Sequence, residues 1–171
     1  NFRENKAYKQ LLNSTSNNMN VVKTVAVTSQ SPNIYSKTIV INAGKNHQID
    51  KDFPVINERG LVGKILSVSN KSSKILLIND QNSSIPVKLM NQNFFAIMNG
   101  TSDGKYLISA FIKDDKMPNI GDILVTSGNA NIFPKDILVG KIIDINNDKS
   151  IIALPFVDLS NLEFVQVINN K

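Results

Sequence analysis

The pentapeptide Leu-Val-Gly-Lys-Ile occurs twice, at Leu61–Ile65 and at Leu138–Ile142, and the residues after each copy run in parallel. Leu66, Val68 and Asn70 follow the first copy; then come the apolar run Ile75-Leu76-Leu77-Ile78, an Asp-Gln-Asn-Ser-Ser stretch and Ile85-Pro86-Val87. Ile143, Ile145 and Asn147 follow the second, with Ile151-Ile152-Ala153-Leu154, an Asp-Leu-Ser-Asn stretch and Phe164-Val165-Gln166-Val167 after them. Self-similarity of this kind means that one supersecondary unit is built twice, which limits the chain to folds with two related halves.

Length agrees with that limit, since 171 residues hold one large domain or two small ones. With no Trp and 6% aromatic residues, the cores must be built from Ile, Leu and Val, and β-branched residues favour strands. Zero Cys excludes disulfides, thiol catalysis and Cys-based metal sites. The net charge of +5 comes from lysines spread along the chain, without a basic run, which fits a solvated surface and not a nucleic-acid footprint. The chain starts at Asn1 and contains no apolar stretch approaching the roughly 18 to 20 residues that span a bilayer. We therefore expect a fragment or processed form, with any membrane anchor upstream of Asn1.

Residues 2–13 have helical spacing, with Phe2, Asn5, Tyr8 and Leu12 on one narrow face. A stripe this narrow suits a coiled-coil dimerisation seam, and a frayed helical tail is the alternative. The polar stretch 13–18 closes it. From Val21 the period becomes two: Val21, Lys23, Val25 and Val27 are expected on one face of a strand, and Ile39 and Ile41 on another. Further strands are expected at 53–56, 61–68, 74–79 and 85–90, then at 94–98, 105–113, 123–126, 138–145, 151–157 and 163–168. The 105–113 strand, apolar on both faces, is expected to be buried on two sides at the junction of the halves. Short strands punctuated by Gly, Asn, Asp and Pro predict an all-β fold in which each half is an antiparallel barrel or sandwich; as barrels, the halves are two small antiparallel six-stranded β-barrels in tandem after the N-terminal helix. The predicted divisions are 1–20 (end of a coiled coil and linker), 21–91 (first barrel) and 92–171 (second barrel), with the last strand free to pair back to the first. Gly60, Gly121, Gly128 and Pro134 mark turns, and Gly63 and Gly140, inside strands, mark bulges or close backbone approaches.

Catalytic chemistry finds little support. His47, Asp80 and Ser127 have the order of a chymotrypsin-like triad, and two six-stranded barrels would suit a trypsin-like serine hydrolase. Ser127, however, lies in Val-Thr-Ser-Gly-Asn, without the Gly-rich turn that normally forms an oxyanion hole. His47 has no partner His or Cys for a metal, and Asp50 and Asp52 lack a calcium-binding loop. No Gly-rich loop leads from a strand into a helix, so no catalytic residue, cofactor or metal is expected. An oligonucleotide-binding barrel module is a third reading, weakened because Phe94, Phe95, Tyr106 and Phe111 lie in strands that read as core.

The ordered set of motifs resembles MreC, the bacterial rod shape-determining family. It comprises Pro54-Val55-Ile56 with Gly60-Leu61-Val62-Gly63, the run from Leu76 to Val87, Gly121 to Gly128 with Phe133-Pro134 and Val139-Gly140, and Asp158 to Glu163. The chain departs from the family at Asn129-Ala130-Asn131, where Gly is usual. The resemblance implies a single-pass inner-membrane protein whose coiled coil and two β-barrels lie in the periplasm. It implies a non-enzymatic scaffold of the elongasome in peptidoglycan synthesis, which self-associates as a homodimer or higher assembly. Its implied partners are a class B penicillin-binding transpeptidase, MreD, RodA and the MreB system.

Overall fold

The computed structural model describes residues 19–30, 37–113 and 116–169. The expected helix with Phe2, Asn5, Tyr8 and Leu12 lies outside the described residues. Among those described, twelve strands follow one another: β1 (Asn20–Gln30), β2 (Thr38–Ile41), β3 (Pro54–Asn57), β4 (Gly60–Val68), β5 (Ser73–Leu77), β6 (Ser84–Leu89), β7 (Gln92–Gly100), β8 (Leu107–Ile112), β9 (Ile123–Thr126), β10 (Leu138–Ile145), β11 (Ile151–Pro155) and β12 (Phe164–Asn169). They close into two six-stranded antiparallel barrels, β1-β12-β3-β4-β5-β2 and β10-β11-β8-β7-β6-β9. Closure removes the unpaired edges that short strands would otherwise expose.

The partition between barrels differs from the expected division at residue 91. β6 lies between β7 and β9 in the second barrel, while β12 lies between β1 and β3 in the first. Strand for strand, β1 to β5 occupy the places that β7 to β11 occupy in the other barrel, and β12 occupies the place of β6. Each half thus supplies five strands to its own barrel and its sixth to the other. The expected division leaves the return of the last strand to the first barrel open and misplaces only β6, because a strand edge accepts any partner of matching pleat, near or distant in sequence.

Both copies of the pentapeptide form the same bulged strand. On β4, Val55 faces Gly63 and Ile56 faces Leu61, leaving Val62 as the extra residue; on β10, Val125 faces Leu138 and Leu124 faces Gly140, leaving Val139. A second bulge recurs at Leu66 and at Ile143. Bulges bend a strand and increase its twist, which closing a barrel of six short strands requires. The repeat therefore encodes curvature. The inward residues Ile39, Val55, Leu61, Ile65, Ile75 and Val167 fill one barrel, and Val87, Met98, Leu107, Leu124, Ile142 and Ile151 the other, within a single continuous core.

Two expected faces are corrected. A bulge at Val22 shifts the phase of β1, so Val22, Val25 and Val27 pack on the core while Val21 is exposed. β8 is not buried on two sides: it pairs with β11 only at Leu107 and Ile108, and Phe111 is 56% exposed. The Ser109 hydroxyl accepts the Ile151 N–H at 2.9 Å and ends the ladder there.

Candidate functional site

His47, Asp80 and Ser127 belong to separate networks. His47 sits in a single 3₁₀ turn, Lys45–His47, with Nδ1 2.8 Å from Asn46 Oδ1. Asp80 is buried at 2% exposure, and its carboxylate accepts the N–H groups of Lys37 and Asn82, both at 2.8 Å. Ser127 Oγ accepts the Asn129 N–H at 3.2 Å. A triad needs its base hydrogen-bonded both to the nucleophile and to the orienting acid. No such bonds join these three residues. Among the described residues, no group of three His, Asp or Glu side chains converges to hold a metal ion.

The segment around Ser127 has a structural task. Buried Thr126 donates its hydroxyl to the Pro134 carbonyl at 2.5 Å and accepts the Ile137 N–H at 2.9 Å, tying β9 to the loop that feeds β10. Between them the chain turns through Gly128 (φ 78), Ala130 (φ 62) and Asn131 (φ 54). Left-handed backbone costs an L-residue such as Ala about 1–2 kcal/mol, while Asn tolerates it better. Ala130→Gly relieves more strain than the extra unfolded-state entropy of glycine removes. The expected outcome is a melting temperature raised by about 2 °C in calorimetry.

Gly60 and Gly140 lie where the barrels meet or bend. Gly60 has φ 146, and a Cβ there would come within 2.4 Å of the Leu138 carbonyl oxygen on the other barrel. Only glycine allows that approach. At Gly140 a Cβ would stand 2.7 Å from the Leu154 oxygen, and Gly121 turns with φ 97 in open space.

The junction is built on Asn79 and Asp80, in the connection from β5 to β6. Asp80 takes the Lys37 N–H from one barrel through its carboxylate and the Gly100 N–H from the other through its carbonyl. Asn79 donates Nδ2 to the Gly104 carbonyl at 2.9 Å. Alongside these residues the barrels enclose a cleft of about 790 Å³. Lys37, Arg59, Lys105, Tyr106 and the continuous segment Leu154–Ser160 line it. Beside it, the Asp103 carboxyl is held below the usual aspartate range by the Thr101 hydroxyl, then by the Lys105 N–H, with the Lys105 charge adding to both. Neither Lys37 nor Arg59 carried a motif signal, because the residues that meet at the cleft lie far apart in sequence.

Comparison with known proteins adds the family. Residues 27–169 match the family model described as "Rod shape-determining protein MreC, barrel core". The "Cell shape-determining protein MreC" of Haemophilus influenzae is 31% identical over 170 residues, covering 96% of this chain and 48% of that protein. The chain thus spans about half the length of this curated relative. A solved structure of MreC superposes with a TM-score of 0.83 at 23% identity, covering 98% of this chain and 99% of the other. The MreC chain from a complex of Penicillin-Binding Protein (PBP2) and MreC of Helicobacter pylori superposes with a TM-score of 0.63 at 17% identity, covering 86% and 99%. At these identities the two structures establish the double-barrel fold.

Proposed function

The chain belongs to the MreC family of rod shape-determining proteins, and on that premise we propose that it is the periplasmic part of a non-enzymatic cell-shape scaffold. In this reading it binds a class B penicillin-binding transpeptidase and favours peptidoglycan synthesis along the lateral wall. The observation that carries it is that the family match spans both barrels, and that the H. pylori protein of this fold was solved bound to PBP2. The separate networks of His47, Asp80 and Ser127 count against the hydrolase. The wider set of MreD, RodA and the MreB system, and anchoring in the inner membrane by a segment upstream of Asn1, complete the proposal. Self-association is assigned to a coiled coil ending in Phe2, Asn5, Tyr8 and Leu12, because a narrow apolar stripe pairs with a second helix better than with a globular core.

The experiment is biolayer interferometry between the barrel region and the transpeptidase ectodomain of the same organism. Saturable binding in the micromolar range is expected, and no binding at high micromolar concentration would overturn the reading. Light scattering on a chain carrying the full helix completes it. Tyr8→Asp with Leu12→Asp should lower the mass, and an unchanged mass removes the coiled coil as the cause of association.

A further inference from the structure

The cleft between the barrels is lined by three cations and one carboxylate, Asp158, with the Asp103 carboxylate beside Lys105, which leaves its lining with an excess of positive charge. Lys37, Arg59 and Lys105 line it, and none takes part in an ion pair among the described residues, where Lys64–Asp52 and Lys88–Asp136 are paired. Asp158 is the acidic side chain lining the cleft, and its Oδ1 is engaged by the Ser160 N–H at 3.2 Å and hydroxyl at 2.7 Å. Arg59 also borders an adjoining pocket with Glu58 and Glu163, so Lys37 and Lys105 are the cations that belong to the cleft alone. Lys37 lies across Gly104, where a Cβ would come within 2.4 Å of its Cε. A concave site with an excess of one sign of charge focuses its field and attracts the opposite sign.

Two further observations narrow the ligand. Asn79, 7% exposed and lining the same cleft, has an Oδ1 without a donor, the one such buried side-chain atom among the described residues. A buried acceptor left unpaired is costly, so a ligand that brings an N–H gains there once the Asn79 amide turns toward the cleft. A phosphate group offers acceptors alone; a peptide offers carboxylates and backbone N–H groups together. One wall is the continuous segment Leu154–Ser160, with Leu154 49% exposed, which suits a chain lying extended along it.

We propose that the inter-barrel cleft is a docking groove for an extended, acidic segment of a protein partner, whose carboxylates meet Lys37, Arg59 and Lys105 while a backbone N–H reaches Asn79. This rests on the reading of the protein as a scaffold that works by binding other proteins.

The test uses a fluorescein-labelled peptide of alternating Glu and Val, its Gln-Val counterpart, phosphatidylglycerol vesicles and the transpeptidase ectodomain. The Glu-Val peptide should bind at least about tenfold more tightly than the Gln-Val peptide by fluorescence anisotropy. Lys37→Glu with Lys105→Glu should weaken it at least about tenfold, and Lys71→Glu with Lys74→Glu, outside the cleft, should leave it unchanged. Amide resonances of Lys37, Gly104 and Lys105 and the Asn79 side-chain amide should move on titration. Equal binding of the two peptides, or indifference to the Lys37 and Lys105 reversals, overturns the proposal. So does lysine-dependent binding of the vesicles without the peptide. If the transpeptidase binds and the peptide does not, the groove falls and the scaffold reading stands. Cleft-dependent peptide binding without transpeptidase binding supports the groove and removes the scaffold reading.

Discussion

A chain ending at Glu163 is expected to lose its first barrel and keep its second. Removing β12 takes away the strand that pairs with β1 from Asn20 to Ala26 and with β3 at Val55 and Ile56. It also takes away Val165, Val167 and Ile168, each at 0–1% exposure. Burying a side chain of this size contributes about 1.5–3 kcal/mol, so the three together contribute about 6 kcal/mol before the two opened edges are considered. That is comparable with the whole stability of a domain, about 5–15 kcal/mol. Hydrogen exchange followed by mass spectrometry should show β2 to β5 losing protection while β6 to β11 retain it. A boundary at residue 91 with β12 in the second barrel would give the opposite pattern. Wild-type protection in β2 to β5 of the truncated chain would refute the exchanged-strand architecture. Val167→Asp, which leaves the chain at full length, should weaken the same strands first.

Replacing Gly63 with Ala should cost about 3 kcal/mol, the upper end of the usual range for overpacking and more than the matching change at Gly140. A Cβ at Gly63 would stand 2.0 Å from the Leu76 carbonyl oxygen and 3.1 Å from Leu77 Cα, both backbone atoms of the adjacent strand β5. They cannot move aside without breaking the Gly63–Leu77 and Lys64–Leu76 pairing. At Gly140 the nearest atom, the Leu154 oxygen, is 2.7 Å away. There the cost should be about 1–2 kcal/mol, the lower part of the usual range for overpacking. Alanine is favoured over glycine by about 0.5–1 kcal/mol in the interior of a strand, which offsets a minor part of the clash at Gly63. Urea unfolding should show a lower midpoint with an unchanged slope. A loss below about 0.5 kcal/mol at Gly63, the range of a neutral surface change, would show that β5 yields freely and that the close approach is not what requires glycine.

Much of the fold is legible in the residues themselves. Alternation in Ile39 to Ile41, the turn residues around Gly60 and Gly121, and the doubled pentapeptide lead to short antiparallel strands in two related groups. What local pattern could not show is phase and partner. The bulge at Val22 reverses which valine of β1 faces inward, and nothing in Val21-Val22 distinguishes the two. β8 reads as apolar on both faces, yet its pairing with β11 stops after Ile108, leaving Phe111 in solvent. The cleft was still less legible: Lys37, Arg59, Asn79 and Lys105 come from four separate connections and share no spacing.

By itself, the sequence determined the duplication, the strand period and the glycines at which the backbone must bend or approach closely, because each depends on neighbours within a few residues. The tertiary structure decided that the sixth strand of each half completes the opposite barrel, and that cations from separate connections meet beside Asn79. Backbone hydrogen bonding along a strand edge carries no label for its partner. Which edge β6 or β12 closes is settled by the packing of both barrels at the junction through Asn79, Asp80 and Gly60, a contact no local stretch of chain contains.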